Sequence, residues 1–91
     1  MINRRFEQDG VIAGHIGRYG FHARLTRGPV SYGLNHRTLY KGQGRIAQLR
    51  IWRFDRTGEM VTLALYDRGW RFGRLENLGI VRRLVQVLDG R

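Results

Sequence analysis

The chain contains no cysteine, only one serine and only one proline, and its carboxylates are few: seven Asp and Glu against seventeen Lys and Arg. Each shortage removes a class of chemistry. Without thiols there is no disulfide framework, no zinc ribbon and no cysteine nucleophile, a usage that fits a reducing compartment. The lone serine, Ser31, sits in no nucleophile-elbow motif and has no His–acid pair near it. Glu59 and Asp67 fall far apart along one expected strand and do not make an acid/base pair. His15, His22 and His36 are scattered without metal-ligand spacing. His15 and His22 can meet across a hairpin, but a surface or hydrogen-bonded pair is the plainer reading. No apolar run approaches the roughly 20 residues of a membrane span. The opening MINRRFEQDG has charges and no apolar h-region, so no secretory leader is expected. These absences lead us to expect a soluble, cytoplasmic, non-enzymatic protein with no metal and no cofactor.

What is abundant is positive charge. The formal net charge is +10 at pH 7 on 91 residues, enough for a single domain with a modest core. Such a field attracts anions and speeds encounters with them without specifying a fold. Nucleic acid is the commonest anionic partner, followed by acidic proteins and membrane surfaces. All but one of the cations are arginine. One reading is bidentate recognition of phosphate or carboxylate together with stacking; the other is codon bias in a GC-rich genome.

Along the chain, residues 1–9 are polar and read as a loose or loosely docked arm. Val11, Ala13 and Ile16, then Phe21, Ala23 and Leu25, suggest two short strands with a turn at Gly17-Arg18-Tyr19-Gly20. In the second, the apolar residues alternate with His22, Arg24 and Thr26, the pattern of a half-buried strand. Residues 28–44 are long for a loop and hold one candidate strand, Arg37-Thr38-Leu39-Tyr40. Arg71-Phe72-Gly73-Arg74 reads as a basic, aromatic connector. From Leu78 to Leu88 the apolar residues Leu78, Ile80, Val81, Leu84, Val85, Val87 and Leu88 fill one half of a helical wheel, with Asn77 as N-cap and Gly90 as the closing glycine. Strands first and one helix last define an α+β fold: an antiparallel sheet of four to five strands with the C-terminal helix packed on one face.

The segment Arg45–Trp70 is the centre of this arrangement. Asp55-Arg56-Thr57-Gly58 has the chemistry of a type I turn closed by a bulged glycine. If Asp55 opposes Glu59, Ile51 faces Leu63, Leu49 faces Leu65 and Ala47 faces Asp67 on an aliphatic side. The other side then carries Phe54 with Met60, Trp52 with Thr62, Arg50 with Ala64 and Gln48 with Tyr66. Arg50, Trp52, Phe54 and Tyr66, extended by Arg68 and Arg71 and by Lys41 and Arg45 from the preceding loop, form the candidate surface for nucleic acid or another partner, since aromatic rings stack on bases and arginines neutralise phosphates. The competing reading makes the aromatics a second core under the 28–44 loop or the apolar interface of a homodimer. Lys41-Gly42-Gln43-Gly44-Arg45 superficially resembles a phosphate-binding loop, but it lacks the Walker spacing and no helix follows. Arg18-Tyr19-Gly20-Phe21 does not continue into an RNA-recognition motif, which needs a helix between its first two strands.

Tyr32-Gly33, Gly44-Arg45-Ile46 with Leu49 and Ile51, and above all Tyr66-Asp67-Arg68-Gly69-Trp70 resemble a family of small uncharacterised phage and bacterial proteins. In that family a Gly-Arg-Ile strand leads to a Tyr-Asp-Arg-Gly-Trp ending and a C-terminal helix. The resemblance spans residues 32–88, with residues 34–43 intervening where the family keeps Tyr-Gly close to Gly-Arg-Ile. The family has no established active site, so no catalytic residue carries over. The resemblance implies a mobile-element protein acting in a host cytoplasm, of the kind that blocks host machinery by binding it, as an anti-CRISPR-type inhibitor does. The residues themselves read Tyr66–Trp70 more simply as a structural corner that turns at Gly69.

Overall fold

A computed structural model describes residues 2–6 and 10–88. The strands β1 (Ile2–Phe6), β2 (Val11–Ile16), β3 (Tyr19–Val30), β4 (Gly44–Phe54), β5 (Met60–Asp67) and β6 (Trp70–Phe72) are followed by one helix, α1 (Leu78–Leu88). They form one antiparallel sheet in simple sequential order. The α+β class with a single helix is therefore observed, although the strands are not all the expected ones. Within the segment read as a loose arm, residues 2–6 pair with residues 12–16 of β2. The connector read at Arg71–Arg74 begins inside β6, whereas Arg37–Tyr40 forms turns and no strand.

The two tight turns show why the chain reverses where it does. Between β2 and β3 the loop is only Gly17-Arg18, since Ile16 pairs with Tyr19. Gly17 has a φ of 60°, a positive value at the first central position that L-residues avoid. Between β4 and β5, Asp55 N–H donates to the Glu59 carbonyl at 2.9 Å and Gly58 N–H donates to the Asp55 carbonyl at 3.1 Å. Asp55 Oδ1 accepts from Thr57 N–H, the Thr57 hydroxyl and Glu59 N–H. The expected turn and its Asp55–Glu59 closure are both present.

The expected register holds only at the turn end of this hairpin. Phe54 pairs with Met60 and Trp52 with Thr62, but a bulge then shifts the ladder, so that Ile51 pairs with Ala64, Arg50 with Leu65, Leu49 with Tyr66 and Gln48 with Asp67. Leu63 is the extra residue. A slip of one residue moves every later side chain to the other side of the sheet. Ala64 and Tyr66 thus enter the core, 1 % and 0 % exposed, in place of Leu63 and Leu65. The Leu63 carbonyl is used by the helix start: Asn77 Nδ2 donates to it at 2.8 Å and to the Gly73 carbonyl at 3.0 Å. Asn77 occupies the N-cap position, its carbonyl accepting from Val81 N–H, while its side chain tethers α1 to β5. Gly90 lies outside the described residues.

One apolar cluster includes Ile12, Ile16, Phe21, Ala23, Leu49, Ile51, Ala64 and Tyr66 from the sheet and Val81, Leu84, Val85 and Leu88 from α1. At roughly 1.5–3 kcal/mol per fully buried aliphatic side chain, the four helix residues contribute on the order of 6–12 kcal/mol, an upper figure because unfolded chains are partly collapsed.

The 28–44 segment is tightly built. β3 runs on to Val30, and the remainder folds back over the β5–β6 end of the sheet. Leu34 and Leu39 are buried in the main cluster. Leu34 N–H donates to the Ile46 carbonyl, Asn35 N–H to the Tyr40 carbonyl and Gly42 N–H to the Gly33 carbonyl. Asn35 Oδ1 accepts from the N–H groups of Arg37 and Thr38, an Asx turn that nucleates the bend. Gly33 and Gly44 are required by contact: a Cβ on Gly33 would overlap the Gly44 carbonyl, and one on Gly44 would overlap the Leu34 carbonyl.

Candidate functional site

The residues singled out in the sequence fall into two groups at opposite ends of β4. Arg50, Trp52 and Phe54 lie on the side of the sheet away from Leu49 and Ile51, as expected from strand alternation. Trp52 is half-buried and opposes Gly20 on β3. A Cβ on Gly20 would run into the indole, so the glycine provides the seat on which the ring rests. Arg50 is fixed on both sides: its Nε and Nη2 donate to Thr62 Oγ1 at 3.1 and 3.0 Å, and its guanidinium carbon stands 5.7 Å from the Trp52 ring centroid. His22, opposite Arg50, and Arg24, opposite Gln48, continue this side onto β3. A shallow depression of about 200 Å³ opens beside them, lined by His22, Gln48, Arg50, Leu65 and Asp67 among others. Gln48 Nε2 donates to Asp67 Oδ1 at 3.1 Å across its floor. Phe54 and its cross-strand partner Met60 are 61 % and 48 % exposed at the hairpin tip.

Tyr66 does not join this surface. Its side chain is fully buried, and its hydroxyl donates to the Tyr32 carbonyl at 2.8 Å. Burial pushes its phenol up to about 12 because the phenolate would lose its hydration. The bulge at Leu63 is the cause: it turns the expected outward residue inward. The 28–44 segment also does not cover Trp52. It is fastened at Gly44 and Ile46, six residues or roughly 20 Å along β4 from the indole.

Arg68, Arg71 and Lys41 gather instead at the β5–β6 corner. Arg68 has a φ of 56° and Gly69 one of 146°, and these reverse the chain. Arg68 N–H donates to the Ala47 carbonyl at 3.0 Å. Trp70 packs edge-on to Tyr66, centroids 5.3 Å apart at 78°, and its Nε1–H donates to the Leu39 carbonyl at 2.7 Å. Tyr66 and Trp70 therefore hold the two arms of the 31–43 loop, one through Tyr32 and the other through Leu39. The Tyr66–Trp70 stretch is a structural corner, as its residues suggested, and also the latch of this loop. Lys41 reaches over Gly69. Arg45 is set apart, its Nε donating to the Thr26 carbonyl while the Thr26 hydroxyl donates to the Arg45 carbonyl.

Three residues at the corner had no functional assignment from the sequence. The Arg68 guanidinium carbon lies 5.3 Å from the Tyr32 ring centroid, and that of Arg74 lies 4.0 Å from the Tyr40 ring centroid. Arg74 Nη2 also donates to the Tyr40 hydroxyl. Arg71 Nη2 donates to the Asp67 carbonyl at 3.1 Å. These arginine contacts use hydroxyls, carbonyls and rings, none of which carries a compensating negative charge. These contacts orient the guanidinium groups.

Among the described residues no group of three or more His, Asp or Glu is placed to hold a metal ion, and no helix is long and apolar enough to cross a membrane. Comparisons with protein-family models, with curated proteins and with solved structures find no match.

Proposed function

We propose that this chain is a non-enzymatic basic binding module that docks on an anionic macromolecule, nucleic acid or a nucleoprotein complex, with the helix sealing the aliphatic side of the sheet and the opposite side meeting the partner. The observation that carries this reading is the way Arg50 is held, clamped by Thr62 and placed over the Trp52 ring, on a chain of net charge +10. A guanidinium fixed in this way loses little side-chain entropy when it meets a phosphate. The shared apolar cluster of α1 and the sheet supports the assignment of the sealed side. Resemblance to small phage and bacterial proteins extends the proposal to a mobile-element inhibitor of host defence, anti-CRISPR in type, working in the host cytoplasm. Arg50→Gln and Arg24→Gln test the surface. Each should weaken binding to a nucleic-acid duplex about equally for all sequences and reduce the salt slope by about 1. Unchanged affinity and slope in both variants would remove this side of the sheet as the docking surface.

A second reading is favoured by one observation. Phe54 and Met60 form an exposed apolar pair at the hairpin tip, which suits a protein–protein or self-assembly interface that also uses Trp52. On that reading Trp52→Ala abolishes association while arginine changes only slow it. A dimer in sedimentation that Trp52→Ala converts to monomer would favour it over the electrostatic module.

A further inference from the structure

The loop corner carries a second arrangement, separate from the Arg50–Trp52 side. Two tyrosines of the 31–43 loop each have a guanidinium laid against the ring, Arg68 on Tyr32 and Arg74 on Tyr40. Tyr40 is nonetheless 55 % exposed. The loop that bears them is pinned by backbone bonds and by Tyr66 and Trp70, so the rings are presented from a rigid base. Lys41 and Arg71, both exposed, lie on the same corner.

We propose that this corner is a binding site for single-stranded nucleic acid, in which unpaired bases stack on the Tyr32–Arg68 and Tyr40–Arg74 planes while Lys41 and Arg71 neutralise the neighbouring phosphates. Three features of the corner select this ligand. Alternating aromatic planes and cations match a strand whose bases and phosphates alternate, and base–aromatic stacking tolerates any sequence. A duplex hides the faces of its bases, so only an unpaired strand can use such platforms. The cation held over one face of each ring places positive charge beside the face left for a base. The proposal rests on the basic-module reading for its charge, but it places base contact at residues that reading does not use.

The experiment compares fluorescently labelled oligothymidine with inorganic polyphosphate, an anion without bases, as ligands for the full chain at low salt. The intact protein should bind oligothymidine more tightly than polyphosphate of equal charge. Tyr40→Leu and Tyr32→Leu should each weaken oligothymidine binding about tenfold and leave polyphosphate binding unchanged. Arg74→Lys keeps the charge and loses the plane, so it should weaken oligothymidine alone and leave the salt dependence as it was. Melting curves of the variants, with Tyr40 exposed and Tyr32 contributing to the latch through its backbone carbonyl, show whether the fold is kept. Equal affinities for the two polymers, or tyrosine variants that weaken both together, would overturn the stacking site while leaving the basic module in place. Failure of the intact protein to bind either polymer would overturn the module and the stacking site with it.

Discussion

Replacing Tyr66 with phenylalanine removes a single oxygen from the middle of the protein. The ring stays, together with its edge-on contact to Trp70, so the change isolates the 2.8 Å hydrogen bond to the Tyr32 carbonyl. A net hydrogen bond is worth about 0.5–1.5 kcal/mol, and a stranded carbonyl adds to the loss when water cannot reach it. The bond is partly buried, which puts the expected cost at about 1–2 kcal/mol. For a domain of this size that corresponds to a fall in Tm of roughly 5–15 °C. The same substitution has a signature in pH. The folded phenol is pushed up to about 12 by burial, above its ordinary value of 10.0. Between these values the unfolded chain releases this proton while the folded one keeps it, so stability falls as pH rises through the window. Below about pH 10 the contribution is complete. Urea unfolding at neutral pH and again near pH 11 should therefore show Tyr66→Phe less stable at neutral pH but losing less on going alkaline. Equal stability at neutral pH, or parallel losses at high pH, would refute the placement of Tyr66 in the core with its hydroxyl on the loop.

Trp70→Phe should remove the bond to the Leu39 carbonyl and loosen the loop, read as faster hydrogen exchange at the amides of Asn35, Leu39 and Gly42 with β2–β4 unaffected. Gly33→Ala should destabilise at or above the upper end of the ~1–3 kcal/mol typical of overpacking, because its Cβ meets backbone that cannot rotate away; a melt within 2 °C of the parent would contradict the crossing. Asp55 is held below its ordinary 3.8 chiefly by the Thr57 side chain and by the Glu59 N–H. Its ionised form therefore stabilises the fold above the ordinary value, and this advantage fades as pH falls through the lower folded value. The stability gap between the parent and Asp55→Asn should accordingly be constant at neutral pH and shrink in acid.

The parts of the fold legible in the sequence are those fixed by local chemistry. The Asp55–Gly58 turn follows from an Asx acceptor and a glycine at set positions, and the helix over 78–88 from apolar periodicity; both occur at the expected residues. The ladder beyond Thr62 was illegible because no local signal marks Leu63 as the extra residue, and its carbonyl finds a partner only in Asn77, fourteen residues downstream. That single bulge also decides the fate of Tyr66, which alternation from the turn places outside and the structure places inside. The 31–43 loop hides its order in the same way. Its buried Leu34 and Leu39 follow no strand or helix period, and the close Gly33–Gly44 crossing joins residues eleven apart. Asn35 followed by Arg37 and Thr38 was an available Asx-turn signal. Of the candidate surface, Arg50, Trp52 and Phe54 were readable from alternation. Tyr32, Tyr40 and Arg74 were not, since their pairing arises only when the loop closes on the β5–β6 corner.

The central claim is that this surface binds a negatively charged partner through oriented arginines, and equilibrium titration of the intact chain with nucleic acid across 50 to 200 mM salt is its most direct test. For contact with about five phosphates, the logarithm of affinity should fall against the logarithm of salt with a slope of about −4 to −5. Affinity that stays flat across that range would mean the arginines do not meet phosphate, and the account would fail.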